Sequence, residues 1–323
     1  MKKTILALTI PALFATSANA ATVYSAEDGT QVDVYGRIQY DIGELNGADN
    51  EDIGGDGSAR LGVNVKYNLN QDVDLIGKLE WQVTAETAND ANTQDINSRY
   101  AWAGFRFMDT TDLTFGKSEN PYVQLSDFTD IFELGGAAAY DHGFRIDDQV
   151  RVSYADQGFD LRAAYAFADE NRLSDAVGTP ENQYSLSAGY ALAAGPGDLG
   201  LAAAYEQINF NGGDLDKWGL GVNYAIDGFY FGVTYGQSDQ TTTLDADQWE
   251  AVGTYTVDAW TLGLGFNFKK ADSDIVGPRV LVEDYILAAK YALNAKTKLY
   301  GEYYIDETVN ANDRYGVGIQ YNF

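Results

Sequence analysis

Apolar and polar residues alternate along most of this chain with a period of two. In the final segment, Tyr315, Val317, Ile319, Tyr321 and Phe323 share one face, and Arg314, Gly316, Gly318, Gln320 and Asn322 share the other. Between Val32 and Asp41, Val32, Val34, Gly36, Ile38 and Tyr40 oppose Asp33, Tyr35, Arg37, Gln39 and Asp41. Leu61, Val63, Val65 and Tyr67 oppose Arg60, Gly62, Asn64 and Lys66, and Leu79, Trp81 and Val83 oppose Lys78, Glu80 and Gln82. Farther on, Trp218, Leu220, Val222 and Tyr224 oppose Gly219, Gly221 and Asn223, and Trp260 to Phe268 opposes Thr261, Gly263, Gly265 and Asn267. One face is apolar on nearly every such segment, and the other is small or charged. A barrel with lipid outside and water inside produces this pattern along its whole length.

The breaks between segments alternate in length. Asn68 to Asp72, Gln157-Gly158, Asp227-Gly228, Asp258-Ala259 and Asn294-Ala295 are short. Gly43 to Ser58, Thr84 to Asp95, Asp169 to Glu181, Gln237 to Asp245 and Ala271 to Leu281 are longer. Tight turns at one end and longer loops at the other predict an all-β, antiparallel, up-and-down transmembrane barrel of about sixteen strands. Tyr100 to Phe107 breaks the rule: Phe105 and Phe107 share parity with Arg99. Either a bulge lies there, or the outer face meets protein instead of lipid. Between Lys117 and Val150 lies a stretch of about thirty residues without alternation, holding Glu119, Asp127, Asp130, Glu133 and Asp141 among Tyr122, Phe128 and Phe132. An acidic, aromatic loop of that length in a barrel is expected to fold into the lumen.

The chain start adds an export signal. Met1-Lys2-Lys3 is basic, Thr4 to Thr16 is apolar, and Ala18-Asn19-Ala20 is a small-residue cleavage site. Residues 1–20 are expected to be a signal peptide and 21–323 the barrel. Ending on the aromatic Phe323 suits a closing strand whose outward face meets lipid. Loss of Lys2 and Lys3, with no acid, moves the formal net charge from −27 to −29. That excludes nucleic acid as a partner. With no Cys, neither disulfides nor thiol sites exist. The 34 Gly and 23 Tyr suit small lumen positions and interfacial aromatic girdles.

These residues resemble the general (trimeric, sixteen-stranded) porins of Gram-negative outer membranes, over essentially the whole mature chain. Tyr35-Gly36-Arg37 resembles the family's opening strand. Ala59-Arg60-Leu61-Gly62 resembles its second-strand motif, and Ser98-Arg99-Tyr100-Ala101-Trp102 its fourth. Asp130-Ile131-Phe132-Glu133-Leu134-Gly135-Gly136 resembles the constriction-loop motif, with Phe132 in place of proline and Leu134 in place of phenylalanine. Arg145-Ile146-Asp147-Asp148 resembles the lead-in to the next wall strand, and Tyr321-Asn322-Phe323 the assembly signal. The resemblance implies a water-filled channel for passive diffusion of ions and small hydrophilic solutes. Asp130 and Glu133 on the third loop would face Arg37, Arg60, Arg99 and Arg145 on the wall. Tyr321 and Phe323 would be read by the barrel-assembly machinery. It also implies a homotrimer set in outer-membrane lipid and lipopolysaccharide, with no cofactor and no metal. The charge of the mature chain points to cation selectivity.

Other functions are weaker. An enzyme would need a nucleophile and base, and His142 is the one His, with Ser118 and Ser126 nearby in sequence but no nucleophile elbow. A ligand-specific, sugar-type channel would use lumen aromatics, and Tyr35, Tyr300 and Tyr304 have lumen parity. Asp49-Asn50-Glu51-Asp52 lacks the spacing of a calcium loop.

Overall fold

The structure is a computed structural model that describes residues 20–45, 53–84, 96–136, 138–139, 143–168, 178–240, 244–272, 277–309 and 311–323. The expected leader except Ala20, the Asp49 to Asp52 cluster, Asp141 and His142 lie outside the described residues. The strands are β1 (Ala21–Ser25), β2 (Gln31–Glu44), β3 (Gly54–Asn70), β4 (Val73–Thr84), β5 (Ile96–Phe107), β6 (Thr111–Glu119), β7 (Arg145–Asp156), β8 (Phe159–Ala166) and β9 (Pro180–Ala194). They continue with β10 (Gly197–Phe210), β11 (Gly213–Ile226), β12 (Phe229–Gln240), β13 (Leu244–Val257), β14 (Trp260–Asp272), β15 (Arg279–Asn294), β16 (Thr297–Asp306) and β17 (Arg314–Asn322).

From β2 onward each strand pairs antiparallel with the next, and β17 returns to pair with β2, so sixteen strands close a barrel. Strand β1 adds no further stave. It pairs with Gln31 to Val34 at one end of β2, while β17 occupies Arg37 to Glu44. The two chain ends therefore share one strand position. Gly36 and Phe323 exchange backbone bonds, 2.9 Å from Gly36 N to Phe323 O and 3.0 Å in return. A side chain at Gly36 would overlap the Phe323 ring, so glycine there seats the terminal aromatic on the barrel wall.

The faces invert those of a water-soluble protein. Leu264, Val317 and Ile38 point outward with 62%, 59% and 56% of their surface exposed, whereas Glu206 and Glu250 point inward and are fully covered. An outward band this continuous needs lipid against it. Aromatic pairs edge it on β8 to β17: Tyr235 and Trp249 lie 4.3 Å apart by ring centroids, Phe229 and Tyr255 4.3 Å, and Trp260 and Tyr291 4.8 Å. At the short-turn end, Gln157-Gly158 and Asp227-Gly228 have positive φ at both positions, the geometry that matches strand twist in two-residue hairpins.

One alternative left by the sequence is resolved, and one reading changes. The broken parity near Tyr100 is a bulge: Glu80 pairs with Tyr100 and Trp81 with Ser98, leaving Arg99 as the extra residue. Arg99 and Tyr100 both reach the lumen as a result, so the irregularity carries no information about what lies outside. The loop-end breaks are also shorter than expected, because β3 already begins at Gly54, β12 runs to Gln240 and β13 resumes at Leu244. Beyond the lipid both faces meet water, so polar residues such as Asp239 and Asp245 stand on the outer face while the backbone pairing continues. Alternation of polarity fades there and hydrogen bonding does not.

Candidate pore constriction

The chain between β6 and β7 enters the barrel. Two short 3-10 turns, Pro121–Gln124 and Ser126–Phe128, start it, and Asn120 caps the first by accepting from Tyr122 N. Residues 121–129 are all buried, and Asp130 is exposed. The apolar cores of the molecule lie here, inside the lumen. Tyr122, Leu125 and Phe128 pack on Ala202 and Ala204 of β10. Phe132 packs with Val252, Ile286 and Tyr304 from β13, β15 and β16. Each such buried side chain stabilises docking by roughly 1.5–3 kcal/mol.

Glycines on the facing wall make room for the loop. A Cβ at Gly219 would overlap Leu125, at Gly221 Phe128, at Gly232 the Phe128 carbonyl, at Gly265 Phe132, and at Gly316 Leu134. The substitutions in the loop motif thus have seats of their own: Phe132 lies on Gly265 and Leu134 on Gly316.

Three buried wall carboxylates hold the loop backbone and its polar side chains. Glu206 accepts from Asn120 Nδ2 and pairs with Lys217 at 3.1 Å. Glu250 accepts from Thr129 Oγ1 and, at 3.1 Å, from Ala139 N. Glu302 accepts from Glu133 N at 2.7 Å and Leu134 N at 3.0 Å. Tyr230 and Tyr304 donate to the Phe128 and Gly135 carbonyls at 2.8 and 2.9 Å. Hydrogen bonds to a charged acceptor are each worth about 1.5–3 kcal/mol, so the acids set the loop's position.

Glu133 lies against this wall. Its carboxylate takes Lys290 Nζ at 2.7 Å, Lys298 Nζ at 2.5 Å and Gln320 Nε2 at 3.2 Å. Burial works against its charged form, but Lys290 and Lys298 outweigh burial and hold the carboxyl at about 2. Arg37 also lies within the field of this carboxylate. Asp127, at the root of the loop, is pushed the other way: burial raises it, Glu119 adds to the rise, and Arg162 opposes it.

The four expected arginines stand together on the wall from β2 to β7, away from the strands that receive the loop. Arg37 and Arg60 are directly opposite each other in register. Gln82 Oε1 bridges Arg60 Nε at 3.1 Å and Arg99 Nη1 at 2.9 Å. Arg99 Nε pairs with Glu80 at 2.5 Å. Arg145 lies over the Tyr100 ring with 5.0 Å to the centroid. Sequence reasoning left three further lumen cations out of the constriction: Lys290 and Lys298 beside Glu133, and Lys78, read only as polar-face, 4.1 Å above the Tyr100 ring and 5.5 Å from that of Tyr35. Strand parity was the available signal, since each lies on the polar face of its strand.

Residues considered for other functions are engaged elsewhere. Tyr35 donates to Glu80 at 2.7 Å, Tyr300 to Asp41, and Tyr304 to Glu302 at 3.0 Å. All three are at most 4% exposed, so they form no open aromatic track for a sugar. Ser126 Oγ donates to Val123 O at 2.9 Å within the loop.

The sequence matches the Gram-negative porin family over residues 7–311. It is 26% identical to outer membrane porin F of Escherichia coli strain K12 over 366 aligned residues, covering 100% of both chains. It is 31% identical to outer membrane porin N of the same strain, over 83% of this chain and 66% of that one. Among solved structures, OmpF of Salmonella typhi in complex with daunomycin superposes with a TM-score of 0.81 at 16% identity, over 94% of this chain and 100% of that one. OmpT of Vibrio cholerae in a trimer form gives 0.70 at 18% identity, over 91% and 99%.

Proposed function

The chain belongs to the Gram-negative porin family, a non-enzymatic outer-membrane channel through which small solutes diffuse passively, and from that premise we propose that its pore is weakly to moderately cation-selective and works as a homotrimer. The observation that carries the channel reading is the closed barrel with an apolar outside, a polar inside and a loop packed within.

Cation selectivity follows from the charge of the mature chain, −29, which gives the vestibules a negative potential. The arginine wall opposes this at the constriction, Asp130 offsets it from the exposed part of the loop, and Glu133 is already matched by lysines. Vestibule charge is screened beyond about 8–10 Å at physiological salt, so selectivity rises as salt falls. A planar bilayer with a potassium chloride gradient tests this. The reversal potential should have the cation sign and grow with dilution; an anion sign at low salt would overturn it.

The trimer reading rests on the outer face of β3 to β5. Ala59, Gly77, Ala101 and Ala103 stand there. Small side chains let another copy approach closely. OmpT of Vibrio cholerae, with the same fold, is described in a trimer form. Native mass in mild detergent should show three chains. In this reading lipid and lipopolysaccharide surround the remaining face, residues 1–20 are removed on export, and Tyr321 with Phe323 guides assembly.

A further inference from the structure

We propose that the outer face of β14 to β17 holds one anionic glycerophospholipid of the inner leaflet, with its phosphate on Lys296 and an acyl chain in the groove over Ala289 and Gly301. The proposal rests on the reading of the chain as an outer-membrane barrel and gives one lipid a fixed place on it.

The groove comes from the strand register. Leu262, Ala289, Gly301, Val317 and Ile42 stand opposite one another in a row across β14, β15, β16, β17 and β2, all on the outer face. Ala289 and Gly301 contribute almost no side chain, so the wall is dented where β15 meets β16. Two recesses of about 650 and 780 Å³ overlap there and share Ile42, Ala289, Gly301 and Val317. The larger reaches Trp260 and Tyr291, which pair at the short-turn end, and the smaller reaches Tyr303 and Tyr315 toward the loop end. The groove thus crosses the apolar band from one aromatic girdle toward the other, where hydrocarbon is the surrounding medium.

Charge at the short-turn end selects the lipid. Short turns face the periplasm in barrels of this kind. Here they carry Glu27, Asp28, Asp72, Asp109, Asp227 and Asp258, and Lys296 between β15 and β16 is the one base among them. The acids repel an anionic headgroup along the rest of that rim, and Lys296 attracts it at the strand pair that bears the dent. The turn is held in place: Lys296 N donates to Asn294 Oδ1 at 2.8 Å, and Lys296 O accepts from Asn322 N at 2.7 Å. Lys296 itself is exposed and has no ion-pair partner among the described residues. Leu299 and Gly301 follow it along β16 at roughly 10 and 17 Å. A phosphate at Lys296 therefore lets the chain pass the Trp260–Tyr291 pair and lie across the dent. At the opposite end Asp313 accepts from Tyr303 at 2.7 Å and disfavours a phosphate, which selects the inner leaflet.

The test uses the purified full-length protein in mild detergent, titrated with phosphatidylglycerol, phosphatidylethanolamine or lipid A and read by native mass spectrometry. One phosphatidylglycerol per chain should be retained about fivefold more tightly than phosphatidylethanolamine, the effect of one lysine at a membrane surface. Lys296→Gln should remove that preference. Gly301→Leu, whose Cβ would meet Val317 at an ordinary 3.4 Å, should fill the dent and lose the retained lipid. Gly253→Leu, paired with the outward Phe231 and with its Cβ 3.5 Å from that ring, lies outside the groove and should retain lipid as the parent does. If Gly301→Leu does not assemble, Lys296→Gln reads the headgroup contact alone. Detergent as the sole bound species, lipid A held more tightly than phosphatidylglycerol, or a preference unchanged by Lys296→Gln would overturn the proposal and leave the pore reading intact. Absence of channel current from the parent in a planar bilayer would overturn the pore reading instead.

Discussion

The lumen has two walls built by different rules. From β2 to β7 the inward face carries Arg37, Arg60, Lys78, Arg99 and Arg145, with Arg37 and Arg60 in register and with Arg37 Nε and Arg145 Nε lacking a hydrogen-bond partner among the described residues. From β9 to β17 it carries Gly219, Gly221, Gly232, Gly265 and Gly316 beside Glu206, Glu250 and Glu302, each of which accepts a hydrogen bond from the third loop. The second wall faces protein and packs as a core does, with close approach at glycine and its acids bonded to the loop. The first faces the aqueous path, where solvent screens the charge that no protein group matches. A single inward-facing pattern therefore serves a dry interface on one side and a wet one on the other.

The largest way to break this contrast is to fill the dry wall. Gly232→Leu would drive a side chain into the Phe128 carbonyl, which is backbone and cannot swing aside. Overpacking of this kind costs about 1–3 kcal/mol, enough to lift the loop off the wall. Single-channel conductance should change markedly. Gly54→Leu, on the inward face of β3 with nothing within 4 Å of its Cβ, should leave conductance near that of the parent.

Removing the anchors comes next. In the Glu250→Ala, Glu302→Ala double variant, the Ala139, Glu133 and Leu134 N–H groups lose their acceptor. Each unsatisfied group costs about 1–3 kcal/mol. The loop should sample undocked positions, seen as frequent conductance steps in bilayer recordings. Steady single-level current would show that the acids do not hold it.

Deleting Phe323 probes the seam between the two walls. It removes the ring seated on Gly36 and the paired bonds there, yet the register of β17 on β2 from Asn322 to Tyr315 survives. The yield of assembled barrel in the outer membrane should fall more than the melting temperature of barrels that do assemble. Normal membrane levels would remove the role given to the terminus.

The fold was legible because alternation, turn spacing and the aromatic end of β17 all point to one closed barrel. The arginines were legible by parity and resemblance, except that Arg99 reaches the lumen together with Tyr100 through a bulge that period-two reading registers only as a fault. The docking wall was legible in part. Gly219, Gly221, Gly263 and Gly265 read as small inward positions, but nothing local says that a loop from far along the chain fills them. The partners of Glu133 were hidden for the same reason: Lys290 and Lys298 meet it across more than 150 residues of sequence, a long-range contact that parity places only as inward-facing.

Smaller effects sharpen the electrostatic side. Asp130→Asn should move the low-salt reversal potential toward anions, because Asp130 is exposed to the lumen water. Glu133 should resist acid. Its folded value of about 2 lies below the ordinary 4.5, so the docking it contributes is complete above 4.5 and is lost only as pH falls toward about 2. Between pH 7 and pH 4 selectivity should shift as vestibule acids take up protons, while the lysine clasp on Glu133 persists. Loop-dependent conductance steps appearing already near pH 5 would contradict that order.

The contrast between the walls is tested most directly by thiol accessibility, which the absence of native cysteine makes clean. Arg60→Cys places a thiol on the wet wall, and Ala204→Cys places one under Tyr122, Leu125 and Phe128 on the dry wall. A charged, water-soluble thiol reagent added during bilayer recording should change the current of the Arg60→Cys channel within its mixing time and leave the Ala204→Cys channel unmodified. Equal reaction rates at the two positions would mean that the loop does not rest on the β10 wall, and the division of the lumen would fall.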